Sequence, residues 1–269
     1  METIGFIGGG NMAEALIKGI ISAKIYRPEQ IFVSDIKSER LKYLAGSFHI
    51  RQSGNNRDLS KKVDIIILSI EPQQMAVVLD DIKNDFNKDA LFISIAAGKK
   101  ISFFTSRLGG IKIIRVMPNT PALIGQGTCG IFAPENAKDR LEKAVSIFSS
   151  VGKTFVLENE DLIDAVTATS GSGPAYFFLL MESMIKGAVK LGFDSRTATA
   201  LVIQTAKGAA LLADNAQKNG LTPAQLREKI VSKGGTTEAA LNTFAKADLP
   251  LLVENAMKNA YLRAGELAK

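Results

Sequence analysis

An α/β fold, a doubly wound parallel sheet followed by an all-α C-terminal segment, is predicted by three features of the sequence. First, a short apolar run from Ile4 to Ile7 leads through Gly8-Gly9-Gly10 into a helical pattern that begins at Asn11. Second, apolar runs at 4–7, 31–34, 63–70, 91–95 and 111–116 alternate with amphipathic stretches at 11–23, 37–46, 73–83 and 101–108. Such Ile-, Val- and Phe-rich runs read as buried parallel strands joined by crossover helices. Third, the rhythm stops near Glu158, after which strand signals vanish and helical patterns fill the remainder.

The opening turn is a Rossmann-type signature, Gly8-x-Gly10-x-x-Ala13, set between a strand and a helix. Gly8 permits the tight turn, Gly10 lets the backbone approach a pyrophosphate, and Ala13 allows close helix–strand contact. N–H groups at the start of the helix then face the anion. Apolar stretches at 128–133 and 153–157 flank a helical pattern at 135–149 and extend the sheet, so the first domain is expected to span 1–157. The second, 158–269, holds helical patterns at 160–168, 174–191, 195–217, 223–231 and 236–268, the last interrupted near Asp248-Leu249-Pro250. Its helices are apolar all round and rich in Ala and Gly, which predicts an interface between subunits and a dimer or larger assembly.

At 269 residues, 46% hydrophobic and 22% charged, the chain is a globular protein with room for two cores. The net charge of +6 is scattered, with no basic run interleaved with aromatics, so a nucleic-acid surface is not expected. A mild positive field instead suits an anionic cofactor and a carboxylate substrate. Cys129 and His49 are the only residues of their types, which excludes an internal disulfide, a His- or Cys-based metal cage and a Ser-His-Asp or Cys-His centre. No metal is expected. Cys129 reads as a buried small hydrophobe and His49 as structural or exposed. The start Met1-Glu2-Thr3 lacks the basic region of a leader, and the most apolar helix, 176–189, carries Glu182 and Lys186. A cytoplasmic protein without membrane contact is the expectation.

Ligands of an open α/β sheet gather outside the carboxyl ends of its strands. Ser34-Asp35-Ile36-Lys37 lies there, where an acid accepts ribose hydroxyls of NAD, whereas Ser34, Lys37 and Arg40 suit the 2′-phosphate of NADP; helix capping by Ser34 and Asp35 is the plainer alternative. Leu68-Ser69-Ile70-Glu71-Pro72 and Ile95-Ala96-Ala97-Gly98 are small or sharply turned, as loops against a nicotinamide must be. Arg115-Val116-Met117-Pro118-Asn119-Thr120-Pro121 is a stiff polar loop, either structural or part of a site. In the helical half, Ser170-Gly171-Ser172-Gly173-Pro174 and Ser232-Lys233-Gly234-Gly235-Thr236-Thr237 each precede a helix and offer N–H groups and hydroxyls to a carboxylate.

Taken in order, these residues resemble the pyrroline-5-carboxylate reductase family, from Ile4 to about Leu262. The resemblance rests on Gly5-Phe6-Ile7-Gly8-x-Gly10-Asn11-Met12, Ser94-Ile95-Ala96-Ala97-Gly98, Arg115 to Pro121, Asp161-Leu162-Ile163-Asp164-Ala165-Val166-Thr167, Ser170 to Tyr176 and Ser232-x-Gly234-Gly235-Thr236-Thr237. It implies an N-terminal domain that binds NADPH, with NADH possible, and a helical domain that makes a homodimer and often a decamer. It implies hydride transfer to the C=N carbon of 1-pyrroline-5-carboxylate, giving L-proline. By position, Ile7, Gly8, Gly9, Gly10, Asn11, Met12, Ser34, Asp35, Ile70 and Ala97 would line the cofactor, with Asn55 or Asn56 adding a contact. Glu160, Gly234, Gly235, Thr236 and Thr237 would meet the substrate, Thr237 hydrogen-bonding the ring nitrogen. The chain departs from the family pattern at Glu71, where Lys is usual, at Lys233, where Pro is usual, and in a longer stretch from Asn215 to Thr222.

A cyclic imine with a protonated nitrogen needs neither nucleophile nor metal, which agrees with the shortage of acid–base residues. Two rivals stand beside this reading. A β-hydroxyacid dehydrogenase would place a lysine one turn after the glycine loop, but here Gly173 is followed by Pro174-Ala175-Tyr176-Phe177 and the first lysine is Lys186. A non-catalytic dinucleotide sensor would bind cofactor without turnover.

Overall fold

The computed structural model describes residues 1–267; the expected ends at 268 and 269 lie outside the described residues. By packing, the chain divides into two compact units, one comprising Met1–Pro174 with the stretch that begins at Asn259, the other Ala175–Lys258.

The first unit is built on an eight-stranded sheet. Its strands are β1 (Ile4–Ile7), β2 (Ile31–Ser34), β3 (Arg51–Gln52), β4 (Ile65–Leu68), β5 (Leu91–Ser94), β6 (Lys112–Met117), β7 (Gly127–Phe132) and β8 (Gly152–Val156). They lie in the order β3-β2-β1-β4-β5-β6-β7-β8. Pairing is parallel from β3 through β6, β7 runs antiparallel to β6, and β8 is parallel to β7. Order reverses at β1, which β2 and β4 flank, and this makes the switch point where ligands collect.

Alternate residues of each central strand feed opposite faces. Ile4, Phe6, Ile65, Ile67 and Ile93 join one core with Leu16, Ile20 and Phe148, while Ile66, Leu68 and Phe92 join the other with Leu79 and Phe104. Helices α1 (Asn11–Ser22), α2 (Ser38–Phe48) and α6 (Leu141–Ser149) contribute to the first core. The second is served by α3 (Asn56–Lys62), α4 (Met75–Ile82) and α5 (Ile101–Leu108). Both faces are therefore covered, which is why the strands read as continuous apolar runs.

One element of this unit carried no signal. Helix α3 has a single large apolar residue, Leu59, so no period shows; the Asn55 side chain starts it by accepting from the Asp58 N–H at 2.8 Å. Strand β3 is two exposed residues at the sheet edge. The 135–149 pattern splits into a 3₁₀ segment, Glu135–Arg140, followed by α6.

Every element after β8 is helical. Helix α7 (Leu162–Val166) continues as a π-helical turn, Thr167–Gly171, into α8 (Gly173–Lys190). The expected open seat at Ser170–Pro174 is thus wound into helix, and the Ser172 N–H donates to the Thr167 carbonyl at 2.8 Å. Beyond lie α9 (Ser195–Gln217), α10 (Pro223–Ile230), α11 (Thr236–Lys246) and α12 (Leu249–Leu267). The 236–268 pattern is two helices, with Asp248 at φ 48° between them. Within the second unit only Ala198, Val202 and Ala216 are buried hydrophobics, while Phe177, Phe178, Leu180, Leu201, Ile203 and Leu211 are exposed. No helix among the described residues is long and apolar enough to cross a membrane.

Candidate functional site

The switch point opens into a cleft of about 400 Å³, lined by the glycine turn, the ends of β2 and β4, and α3. The turn works by geometry. Gly8 sits at φ +96°, and a Cβ there would lie 2.5 Å from the Ser69 carbonyl oxygen. Only glycine fits. Its N–H donates to the Ser34 carbonyl at 2.8 Å, which ties the turn to β2. At Gly10 a Cβ would meet nothing within 4 Å, so the space beside the first turn of α1 is open. Gly10 is the N-cap and contributes no side chain, leaving the helix start without a side-chain cap. These residues fit the phosphates of a dinucleotide.

Around the turn, side chains are tied to backbone. The Asp35 carboxylate accepts from the Gly9 N–H at 2.7 Å and from the Lys37 N–H at 2.8 Å. The Arg40 guanidinium donates to the Gly9 and Gly10 carbonyls and pairs with Glu14. On the floor, the buried Ser34 hydroxyl donates to Asn56 Oδ1 at 2.6 Å. From the other wall the Ser69 hydroxyl donates to the Gly8 carbonyl at 2.7 Å.

Of the residues expected at the cofactor, Ile7, Gly8, Gly10, Asn11, Ser34, Asp35, Asn56 and Ile70 line this cleft. Of the asparagine pair, Asn56 belongs to it, whereas Asn55 is spent on capping α3. Gly9, Met12 and Ala97 are not among its lining residues. Gly9 is buried behind the turn, where a Cβ would stand 2.9 Å from Leu44 Cδ1. Met12 packs against the core, and Ala97 follows β5 half-buried. Next to Ala97, Gly98 serves a different purpose: a Cβ there would lie 2.7 Å from Leu267 Cβ, so its small size admits α12. Ser69 belongs to the loop expected at the nicotinamide, whereas Gln74 and Val78 line the cleft without having been singled out in the sequence.

A second polar centre lies under α7. Arg115 of β6 is 2% exposed, and its guanidinium donates to Glu160 at 2.9 Å and stands 3.6 Å from Asp164. The same Glu160 oxygen accepts the Ile101 N–H at 2.7 Å, which starts α5. Burial raises the Asp164 carboxyl above the ordinary aspartate range, against the lowering pull of Arg115 and Lys100. Glu160, expected at the substrate, thus has one carboxylate oxygen committed to the sheet unit. Asn119 spans the neighbouring loop, donating to the Ser170 carbonyl at 3.0 Å and accepting from the Thr128 N–H at 2.8 Å. That stiff polar loop is structural at Asn119. Burial pushes the Cys129 thiol up to about 12, which makes it inert.

In the helical unit, Thr236 and Thr237 are the first two residues of α11, and their N-cap, Gly235, contributes no side chain. The Gly234 N–H donates to Glu238 at 2.7 Å and the Gly235 N–H to the Ser232 carbonyl at 2.9 Å. Both donors expected for a substrate carboxylate therefore have internal partners here. Among the described residues no group of three or more His, Cys, Asp or Glu is placed to hold a metal.

Comparison with known proteins covers both halves of the chain. Residues 160–267 match the family described as pyrroline-5-carboxylate reductase dimerisation, and residues 3–98 match NADP oxidoreductase, coenzyme F420-dependent. The pyrroline-5-carboxylate reductase of Haemophilus influenzae is 40% identical over 269 residues, covering 99% of this chain and 97% of that protein. Among solved structures, the pyrroline-5-carboxylate reductase of Coxiella burnetii superposes with TM-score 0.90 at 36% identity, covering 100% of this chain and 99% of that one. A pyrroline carboxylate reductase of Plasmodium falciparum, solved with NADP bound, gives TM-score 0.87 at 32% identity, covering 100% and 98%.

Proposed function

The chain belongs to the pyrroline-5-carboxylate reductase family, and from that premise we propose how its residues carry out the reaction. It is an NAD(P)H-dependent oxidoreductase that reduces 1-pyrroline-5-carboxylate to L-proline, the closing reaction of proline biosynthesis. The observation that carries this reading is a likeness to curated reductases that runs through 99% of the chain. When bound, the reduced nicotinamide supplies the hydride that the C=N carbon takes up.

The chain's own residues supply placement. In this reading the first turn of α1 receives the pyrophosphate beside Gly8, Gly10 and Asn11, with Gly9 and Met12 supporting the turn. Ser34, Asp35 and Asn56 hold the adenosine ribose, and Ile70 and Ala97 flank the nicotinamide side. Thr237 hydrogen-bonds the substrate's ring nitrogen and Glu160 favours its cationic form. Thr236, Gly234 and Gly235 seat the carboxylate at the start of α11, the glycine donors exchanging their internal partners for it. No general acid is required, because the iminium nitrogen already carries its proton. Orientation of reactants is worth about 7–11 kcal/mol in intramolecular analogies, so placement accounts for much of the rate. The segment 158–269 acts as the dimerisation and substrate-binding domain, after a dinucleotide domain of 1–157. The working form is a cytoplasmic homodimer that can assemble further into a decamer.

Steady-state oxidation of NADH and NADPH with 1-pyrroline-5-carboxylate tests the activity. Turnover is expected with both; binding without turnover would make the chain a dinucleotide sensor. For the assigned residue, Thr237→Ala is expected to lower turnover about tenfold or more, or about 1.4 kcal/mol in barrier terms. Thr237→Ser, which keeps the hydroxyl, restores it. Unchanged kinetics in Thr237→Ala would remove the hydroxyl from the site.

A further inference from the structure

We infer that the pinned carboxylate of Asp35 makes this reductase favour NADH over NADPH, with Glu71 as a weaker second determinant. The inference rests on the reading of the switch-point cleft as the dinucleotide seat. The two cofactors differ by one group, the 2′-phosphate of the adenosine ribose. A phosphate monoester adds about 1.5 to 2 negative charges near neutral pH.

What that group would meet is set by four charged side chains lining the cleft: Asp35, Glu71, Lys37 and Arg40. Asp35 follows β2, the place from which an acid reaches the ribose 2′-hydroxyl. Its carboxylate does not swing freely, because the N–H groups of Gly9 and Lys37 hold one oxygen each, at 2.7 and 2.8 Å. An ionised carboxylate offers about four lone-pair sites, so acceptors remain for ribose hydroxyls after both bonds are made. A phosphate at the same place would face a fixed negative charge instead.

The cations do not offset this. Arg40, the residue best shaped to grip a phosphate, is turned onto the glycine loop, where it donates to two carbonyls and pairs with Glu14. Its guanidinium also stacks 5.0 Å from the Tyr43 ring centre. Lys37 is exposed at the mouth and is the one cation of the cleft left to meet a phosphate, through a flexible stem. Glu71 adds a second acid to the lining of the cleft. The balance of the cleft therefore disfavours the extra phosphate.

Titration of the full-length protein with NADH and with NADPH at fixed ionic strength, followed by calorimetry, decides the matter. The expected result is tighter binding of NADH by about tenfold or more. Asp35→Asn keeps an acceptor for the Gly9 N–H but loses the charge, and it is expected to shrink the NADH-to-NADPH affinity ratio about tenfold, with NADPH binding more tightly than to the parent. Glu71→Gln, which disturbs no bond of the loop, is expected to shrink the ratio about two- to threefold. Equal or tighter binding of NADPH by the parent overturns the inference, as does an unchanged ratio in Asp35→Asn. Should Asp35→Asn fail to fold, the parent ratio and Glu71→Gln decide, and an unchanged ratio in the latter removes Glu71. Absence of binding by either dinucleotide overturns the cleft assignment and the preference with it. Selective binding without turnover would overturn the activity and leave the preference standing.

Discussion

The sheet unit and the helical unit bury their apolar residues by opposite strategies. In the first, both sheet faces are covered by the chain's own helices, and residues such as Phe6, Leu16, Ile67 and Phe92 are fully enclosed. In the second, three small-to-medium residues are enclosed, while α8 alone exposes Phe177, Phe178, Leu179 and Leu180. A stretch of that kind is not a core but half of one. The match of residues 160–267 to a family described as a dimerisation domain supports self-association through this face, and a second copy of the chain is the partner proposed above. One unit thus encloses its apolar residues by intramolecular packing, while the other leaves them for the association proposed above.

The sheet unit has its own costly feature, and breaking it gives the largest expected effect. Arg115→Ala leaves Glu160 and Asp164 without the buried cation between them, and a broken buried pair costs about 3–5 kcal/mol. Denaturant unfolding at fixed protein concentration measures it; a loss below about 1 kcal/mol would show that the centre is solvated. The helical unit is expected to answer differently. Leu180→Glu on the exposed face of α8 is expected to weaken the dimer by about 2 kcal/mol or more while leaving the sheet's hydrogen-exchange protection in place. Sedimentation across a dilution series reads the shift. An unchanged dimer would place the interface elsewhere.

Within the sheet unit, two glycines separate folding from binding. Gly8→Ala is expected to destabilise by about 1–3 kcal/mol, since the new methyl meets the Ser69 carbonyl at a left-handed backbone position. Gly10→Ala meets no protein atom, so stability stays within about 0.5 kcal/mol while dinucleotide affinity falls. Loss of stability without loss of binding at Gly10 would invert their roles. The smallest effect is a pH dependence. The folded state holds the Asp164 proton to higher pH than the unfolded chain does, because burial raises that carboxyl above its usual 3.8. Its contribution to stability therefore falls as pH rises from the usual value through the raised one, then levels off. Relative to the parent, Asp164→Asn should gain stability as pH rises above the ordinary aspartate value, and a gap that widens the other way would contradict the direction.

Much of this was legible in the chain because its signals are local. The glycine turn sits between strand and helix, and the strands are buried on both faces, so periodicity and turn chemistry point the same way. What escaped was non-local or too short. A seven-residue helix with one leucine gives no period. The antiparallel turn of β7 is decided by pairing with β6, not by its own residues. Gly98 looked like a surface for nicotinamide, yet its neighbour is Leu267, far along the chain. The link from Glu160 through Arg115 to Asp164 likewise joins residues that no spacing rule connects. In the loop before α11, Thr236 and Thr237 were visible as helix-start hydroxyls, but the internal partners of Gly234 and Gly235 depend on how Glu238 and Ser232 fold back.

On this protein a reduced nicotinamide gives its hydride to the imine carbon of 1-pyrroline-5-carboxylate. Incubation with a dinucleotide carrying two deuterons at nicotinamide C4, followed by mass and NMR analysis of the product, tests it most directly. L-Proline bearing one deuteron on the carbon adjacent to nitrogen, away from the carboxyl group, is the predicted result. Proline without label there, or oxidised dinucleotide without proline, would contradict it.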